Sequence, residues 1–225
     1  MKKLVYLVAA VVVFSSCTNN KLLPKSKTYA NIYQEKPLSI LVLPPINNST
    51  KVEAKELFYS SLSQPFSLRG YYVMPPLLSM EILKEESAYD AELFINNSMK
   101  QVGELFGADA VLFTTIHEWN KTAVASRINV KIEYLLKSTK TDEILFHRTG
   151  DLTMDVSVST GTLLGNVVGS MLATAMTKEI IVARDCNNYT ITDIPWGKYS
   201  SDFGQDGELK AQPAVFSGTV KKGQH

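Results

Sequence analysis

Cysteine and histidine are scarce in this chain, two of the one and three of the other. Cys17 and Cys186 stand far apart, so there is no disulfide framework and no Cys-x-x-Cys pair. His117, His147 and His225 show no His-x-x-x-His spacing, which removes the usual signature of a zinc site. Cys186 with one of these histidines would make a nucleophile and base, but no flanking motif supports the pair. Basic and acidic residues balance, 23 against 22, leaving no electrostatic footprint for nucleic acid. No glycine-rich phosphate loop follows a strand, so no cofactor is expected. These absences point to a protein that is not an enzyme, with no metal and no catalytic constellation.

What is present begins at the amino terminus. Lys2 and Lys3 precede an uncharged apolar run from Leu4 to Phe14, which is followed by Ser15, Ser16 and Cys17. A basic start, a short apolar stretch and small residues at the cut describe an export signal. The run is about half of the roughly 20 residues that span a bilayer. A cysteine placed to become the first residue after cleavage completes a bacterial lipobox, although Phe14 stands where an aliphatic residue is usual. Residues 1–16 read as the signal peptide and Cys17 as the lipidated residue, anchored to the lipid bilayer by two or more acyl chains. A thioether at Cys17 leaves Cys186 as a lone thiol, to be buried or paired between chains. No aspartate follows Cys17 and no acidic residue appears before Glu35. The expected address is therefore the outer membrane, facing the periplasm. Residues 17–37, polar and without apolar period, read as the lipidated cysteine and a flexible tether.

Strand and helix signals then alternate. Leu38 to Leu43 is a continuous apolar run stopped by Pro44 and Pro45, as in a strand covered on both faces. Thr50 and Glu53 have the spacing of a capping box. Ala54, Leu57, Phe58, Leu62 and Phe66 make one helical stripe, interrupted by Pro65 and closed by Gly70. Tyr71 to Met74 is a short strand, and Pro76 opens a further helix. Ser98 and Gln101 repeat the capping-box spacing, Gly107 ends that helix, and Asp109 to Trp119 is a third strand. Arg127 to Tyr134 alternates strictly, with Ile128, Val130, Ile132 and Tyr134 on one face. Ser138 to Asp142 turns the chain into a returning strand, Glu143 to Val156. The fold class is α/β (α+β), a mixed sheet with helices packed against it, over residues 38–185.

Between Asp155 and Lys178 no charged residue occurs, and Gly161, Gly165, Gly169 and Ala173 recur every fourth position. Small residues at that spacing let another backbone come close. A last helix lying on the sheet, a helix-to-helix interface in a homodimer, and a membrane-inserting segment are all compatible with it. Residues 186–204 read as an ordered strap, and residues 205–225, polar and glycine-rich, as a disordered tail.

Three stretches resemble one family. They are Lys36-Pro37-Leu38-Ser39-Ile40-Leu41-Val42-Leu43-Pro44-Pro45-Ile46-Asn47, Leu68-Arg69-Gly70-Tyr71-Tyr72-Val73-Met74-Pro75 and Gly103-Glu104-Leu105-Phe106-Gly107-Ala108-Asp109-Ala110-Val111-Leu112. In this order they are similar to bacterial lipoproteins typified by a genome-derived neisserial antigen. The resemblance implies a fold like the amino-terminal domain of TolB, shared more distantly with the secretion-channel lipoprotein CsgG. It also implies a dimer, and an accessory role in envelope secretion, transport or assembly beside a CsgG-like lipoprotein. The alternative is an outer-membrane activator of a peptidoglycan synthase, or a module that binds the cell wall. No catalytic residue comes with the family.

Overall fold

Three long antiparallel strands carry the molecule: β4 (Ala110–Thr122), β5 (Arg127–Ser138) and β6 (Ile144–Asp155). The computed structural model describes residues 22–85, 91–93, 95–122, 127–155 and 168–221. The alternation along β5 is realised, with Ile128, Val130, Ile132 and Tyr134 buried on one face. β1 (Ser39–Val42) and β2 (Ile46–Asn47) run parallel to β4, and β3 (Tyr72–Val73) runs parallel to β1. β7 (Val215–Lys221) pairs in parallel with β6, giving the order β3-β1-β4-β5-β6-β7 with β2 beside β4. The sheet is therefore mixed, as expected.

β1 is buried at every position because the sheet has a core on each side of it. Ile40 and Val42 join the larger core with Phe58, Leu62, Phe66 and Tyr134. Leu41 and Leu43 join a smaller one with Leu83, Met99, Val111 and Phe113. Helices α3 (Ala54–Ser61), α4 (Ser63–Leu68) and α7 (Val168–Ile191) contribute to the first face. On the second, among the described residues, α5 (Pro76–Glu85) and α6 (Lys100–Phe106) cover one end of the strands. Beyond that end lie the half-buried Glu133 and Asn129 and the exposed Lys131 and Arg127 of β5, with their neighbours.

Helix boundaries follow local chemistry, not always as the spacing suggested. The Thr50–Glu53 box does not form; α3 starts at Ala54 without a side-chain cap. Asn47 holds the loop instead, donating from Nδ2 to the Lys51 carbonyl at 2.8 Å, and Lys51 draws the Glu53 carboxylate to 3.3 Å. Pro65 falls in the first turn of α4, where a missing N–H costs nothing. That helix ends in paired bonds, Tyr71 N–H to Phe66 carbonyl at 3.1 Å and Gly70 N–H to Ser67 carbonyl at 3.0 Å. Gly70 has φ +81°, the left-handed conformation this closure requires. For α6 the cap comes from afar, the Met99 N–H donating to Asp142 Oδ1 at 2.6 Å, while Ser98 Oγ accepts only from the Lys100 N–H at 3.3 Å.

Three expectations about the ends are corrected. The flexible tether is replaced from Lys25 by α1 (Lys25–Thr28) and α2 (Ala30–Glu35), because Tyr29 and Ile32 bury themselves in the larger core. The boundary at residue 185 falls inside α7, which continues to Ile191. Its polar residues there have buried partners: Asn187 accepts from the Tyr134 hydroxyl and donates to Ser61 Oγ at 2.9 Å. The tail expected to be disordered forms β7, in register from Thr149–Val215 to Asp155–Lys221, with Val220 buried. Among the described residues no helix is long and apolar enough to cross a membrane.

Candidate functional site

His117 and His147, distant in sequence and on different strands, converge on Glu133. A register slip between Ile116 and Glu118 makes His117 the extra residue of a β-bulge, a device that re-aims a side chain. Its Nε2 donates to Glu133 Oε2 at 2.8 Å, and His147 Nε2 donates to Oε1 at 2.7 Å. Partial burial pushes the Glu133 carboxyl upward, but the two imidazole hydrogen bonds outweigh it and hold the group below the usual glutamate range. The array sits on the open side of the sheet. Both carboxylate oxygens are occupied at hydrogen-bond length, and among the described residues no group of three or more His, Cys, Asp or Glu is arranged to hold a metal. Cys186 does not join it. That thiol is fully buried in the larger core on the other face, and burial pushes it well above its ordinary value.

A second polar cluster closes the fold around the chain ends. Asp193, after α7, accepts from the Tyr29 hydroxyl at 2.5 Å and from the Gln212 N–H at 2.9 Å. Asp206 accepts from the Tyr33 hydroxyl at 2.8 Å and the Trp196 N–H at 3.2 Å. The buried Lys25 ammonium lies 3.7 Å from Asp193 and 3.5 Å from Asp206. Burial raises the Tyr29 and Tyr33 hydroxyls, and the adjoining carboxylates push the same way, so both stay protonated donors. Arg148, fully buried on β6, donates to the Thr190 carbonyl at 2.6 Å and stacks 4.2 Å from the Phe216 ring. Segments 25–33, 190–196 and 206–216 are thus locked together by charge-assisted bonds. Sequence reading missed this cluster, although Tyr29, Ile32 and Tyr33 carry a short helical period.

Between α4 and the end of α7 runs a groove of about 360 Å³ lined by Leu68, Arg69, Arg184, Tyr189 and Trp196. Arg69 stacks 4.3 Å from the Trp196 ring, fixing one wall. Of the residues singled out in the sequence, Cys17, Gly161, Gly165 and His225 lie outside the described residues. Gly169 and Ala173 fall in the first half of α7. Asp109 anchors the start of β1, accepting from the Leu38 and Ser39 N–H groups at 2.9 and 3.2 Å, and pairs with Lys140 at 2.8 Å.

The family profile described as "Putative lipoprotein GNA1162-like" matches residues 27–209, most of the chain. The chain belongs to the GNA1162-like lipoprotein family. The match spans β1 to β6, the His117–Glu133–His147 array, and Tyr29, Tyr33, Arg148, Asp193 and Asp206 of the second cluster; it leaves out Lys25 and β7. A curated member, "Putative lipoprotein NMB1124/NMB1162" of Neisseria meningitidis serogroup B, is 28% identical over 174 residues, 76% of this chain and 80% of that protein. The crystal structure of lipoprotein GNA1162 from Neisseria meningitidis aligns at 26% identity and TM-score 0.48, covering 64% of this chain and 98% of that one. The LpoB C-terminal domain from Salmonella enterica aligns at 13% identity and TM-score 0.38, covering 56% of this chain and 93% of that domain.

Proposed function

We propose that this GNA1162-like protein is a non-enzymatic lipoprotein, anchored through Cys17 in the outer membrane and facing the periplasm. There it serves as an accessory subunit of an envelope secretion or assembly complex, beside a CsgG-like lipoprotein. The observation that carries the reading is how early the polypeptide is captured. The Leu23 carbonyl already accepts from the Ala211 N–H at 2.9 Å, and the Lys25 N–H donates to the Leu209 carbonyl at 2.8 Å. A lipid on Cys17 therefore holds the folded body against the leaflet, as suits a subunit of a membrane-bound assembly. The same shortness counts against the alternative of an activator that reaches out to a peptidoglycan synthase. Cys186 has no partner chemistry in its core position, and the histidine array lacks a nucleophile, which is why no reaction is assigned.

Cross-linking in intact envelopes, followed by mass spectrometry of the captured partners, tests the assignment. Recovery of a CsgG-like lipoprotein is the expected result; recovery of a penicillin-binding protein instead moves the assignment to the cell-wall alternative. Self-association belongs to the same proposal, through the small-residue face Gly161, Gly165, Gly169 and Ala173. Gly169→Leu is expected to shift the protein from dimer to monomer on sizing without unfolding it. Loss of folding would place these glycines in the core of one subunit.

A further inference from the structure

Three leucines stand out of the fold where the chain emerges toward Cys17. Leu22, Leu23 and Leu209 are 41%, 54% and 59% exposed, although apolar neighbours such as Tyr29, Ile32 and Ala211 are buried. Backbone pairing puts Leu23 and Leu209 on facing segments, diagonally across the Pro24–Lys210 bridge, with the Ala211 N–H donating to the Leu23 carbonyl and the Lys25 N–H to the Leu209 carbonyl, and Leu22 directly precedes Leu23. Around them the exposed charges are Lys27, Lys210 and Glu208, and Lys21 directly precedes Leu22. Lys25 does not belong to this rim, since its ammonium is turned inward to Asp193 and Asp206.

The length of chain beyond this patch decides what covers it. Cys17 and Leu22 are five residues apart, so their Cα atoms are separated by no more than about 18 Å even at full extension. We infer that the Leu22–Leu23–Leu209 patch lies on the phospholipid surface that holds the acyl anchor, as a second, non-covalent membrane contact. Apolar side chains rimmed by lysines suit the boundary between headgroups and acyl chains, where the stems of Lys27 and Lys210 reach the phosphates. The contact fixes how the body stands on the leaflet. β4 extends about 40 Å from Ala110, near the end where Asn31 of α2 bonds the Ile144 carbonyl at 3.1 Å, to Thr122 at the far end. The far ends of the long strands are thereby carried away from the lipid. The inference rests on acylation of Cys17.

The test uses the full-length protein, purified from membranes and reconstituted in vesicles of equal parts phosphatidylethanolamine and phosphatidylglycerol. An environment-sensitive fluorophore is attached to Leu209→Cys or, separately, to Thr122→Cys; Cys17 is consumed by its thioether and Cys186 is buried, so neither takes the label. Mass spectrometry of the amino-terminal peptide first reports whether Cys17 is acylated. If it carries no lipid, the anchor and the patch contact fall together. With the lipid present, the probe at 209 is expected to shift to the blue and lose intensity to a nitroxide on a shallow acyl carbon, while the probe at 122 does neither. Leu22→Asp with Leu23→Asp should abolish the shift at 209 while the protein stays on the vesicles. A water-like probe at 209 on acylated protein overturns the contact and leaves the anchor standing. A blue shift that needs no vesicles and grows with protein concentration overturns it in favour of a second copy.

Discussion

His147 and Arg148 are consecutive on β6, yet they belong to two different kinds of site. Alternation along the strand sends Arg148 into the closed side of the sheet, under the chain ends, and His147 onto the open side beside Glu133. In the closed cluster every charge is buried and has a partner far away in sequence, although the Arg148 Nε is left without an acceptor, so the cluster decides whether the ends of the chain stay attached. In the open one the same kinds of group are half-exposed and bound to one another across neighbouring strands, so water competes with each bond. The difference separates a fastener from a surface that responds to its surroundings.

The sharpest way to break that contrast is Asp193→Ala. It leaves the Tyr29 hydroxyl, the Gln212 N–H and part of the Lys25 charge without their acceptor, in a site from which water is excluded. Removing one partner of a buried charge pair costs about 3–5 kcal/mol, to be read as a lowered midpoint in urea. Gly70→Ala strikes the same closure from the side of α4. At φ +81° an alanine costs about 1–2 kcal/mol, and its Cβ would meet the Ser200 backbone nitrogen at 2.4 Å. The strap from residue 192 should then exchange its amide hydrogens faster than β5 does.

The smallest effect belongs to the open cluster. Glu133 titrates below its ordinary value in the folded protein, so between the two values the unfolded chain binds more protons. Its contribution is complete above the ordinary glutamate value and is lost as pH falls through the lowered one. Glu133→Gln should flatten that acid limb and cost less than about 1 kcal/mol at neutral pH, measured as denaturation midpoints across a pH series. An effect as large as that of Asp193→Ala would erase the distinction between the two sites.

The strands were legible where a residue's fate depends on its immediate neighbours. Arg127 to Tyr134 alternates because one face is wet, Leu38 to Leu43 does not because both faces are covered, and Gly70 and Gly107 end helices in the left-handed conformation. Family membership was legible for the same reason, in three short motifs around those strands. The ends misled because their apolar residues are sparse. Phe216 and Val220 do mark one face of β7, but Gly218 between them and the lysines after them look like the composition of a loose tail. A Cβ at Gly218 would meet Tyr189 and Leu152 only at ordinary contact distance, so that glycine marks no crowding. It is Gly150 of β6 that is crowded, where a Cβ would come within 2.9 Å of the Phe216 ring, a reason that exists only in three dimensions. The His117–Glu133–His147 array was hidden for another cause. It depends on strand register and on a bulge, and neither is written in the spacing of the three residues.

β7 comes last among the described elements, yet it supplies the outer rail of the sheet and the ring on which Arg148 rests. Until residues 215–221 have emerged, β6 has one side unpaired and Arg148 has no lid. A nascent or translocating polypeptide therefore cannot finish this fold early. The sheet edge and the Arg148 site are completed together, when β7 docks on β6.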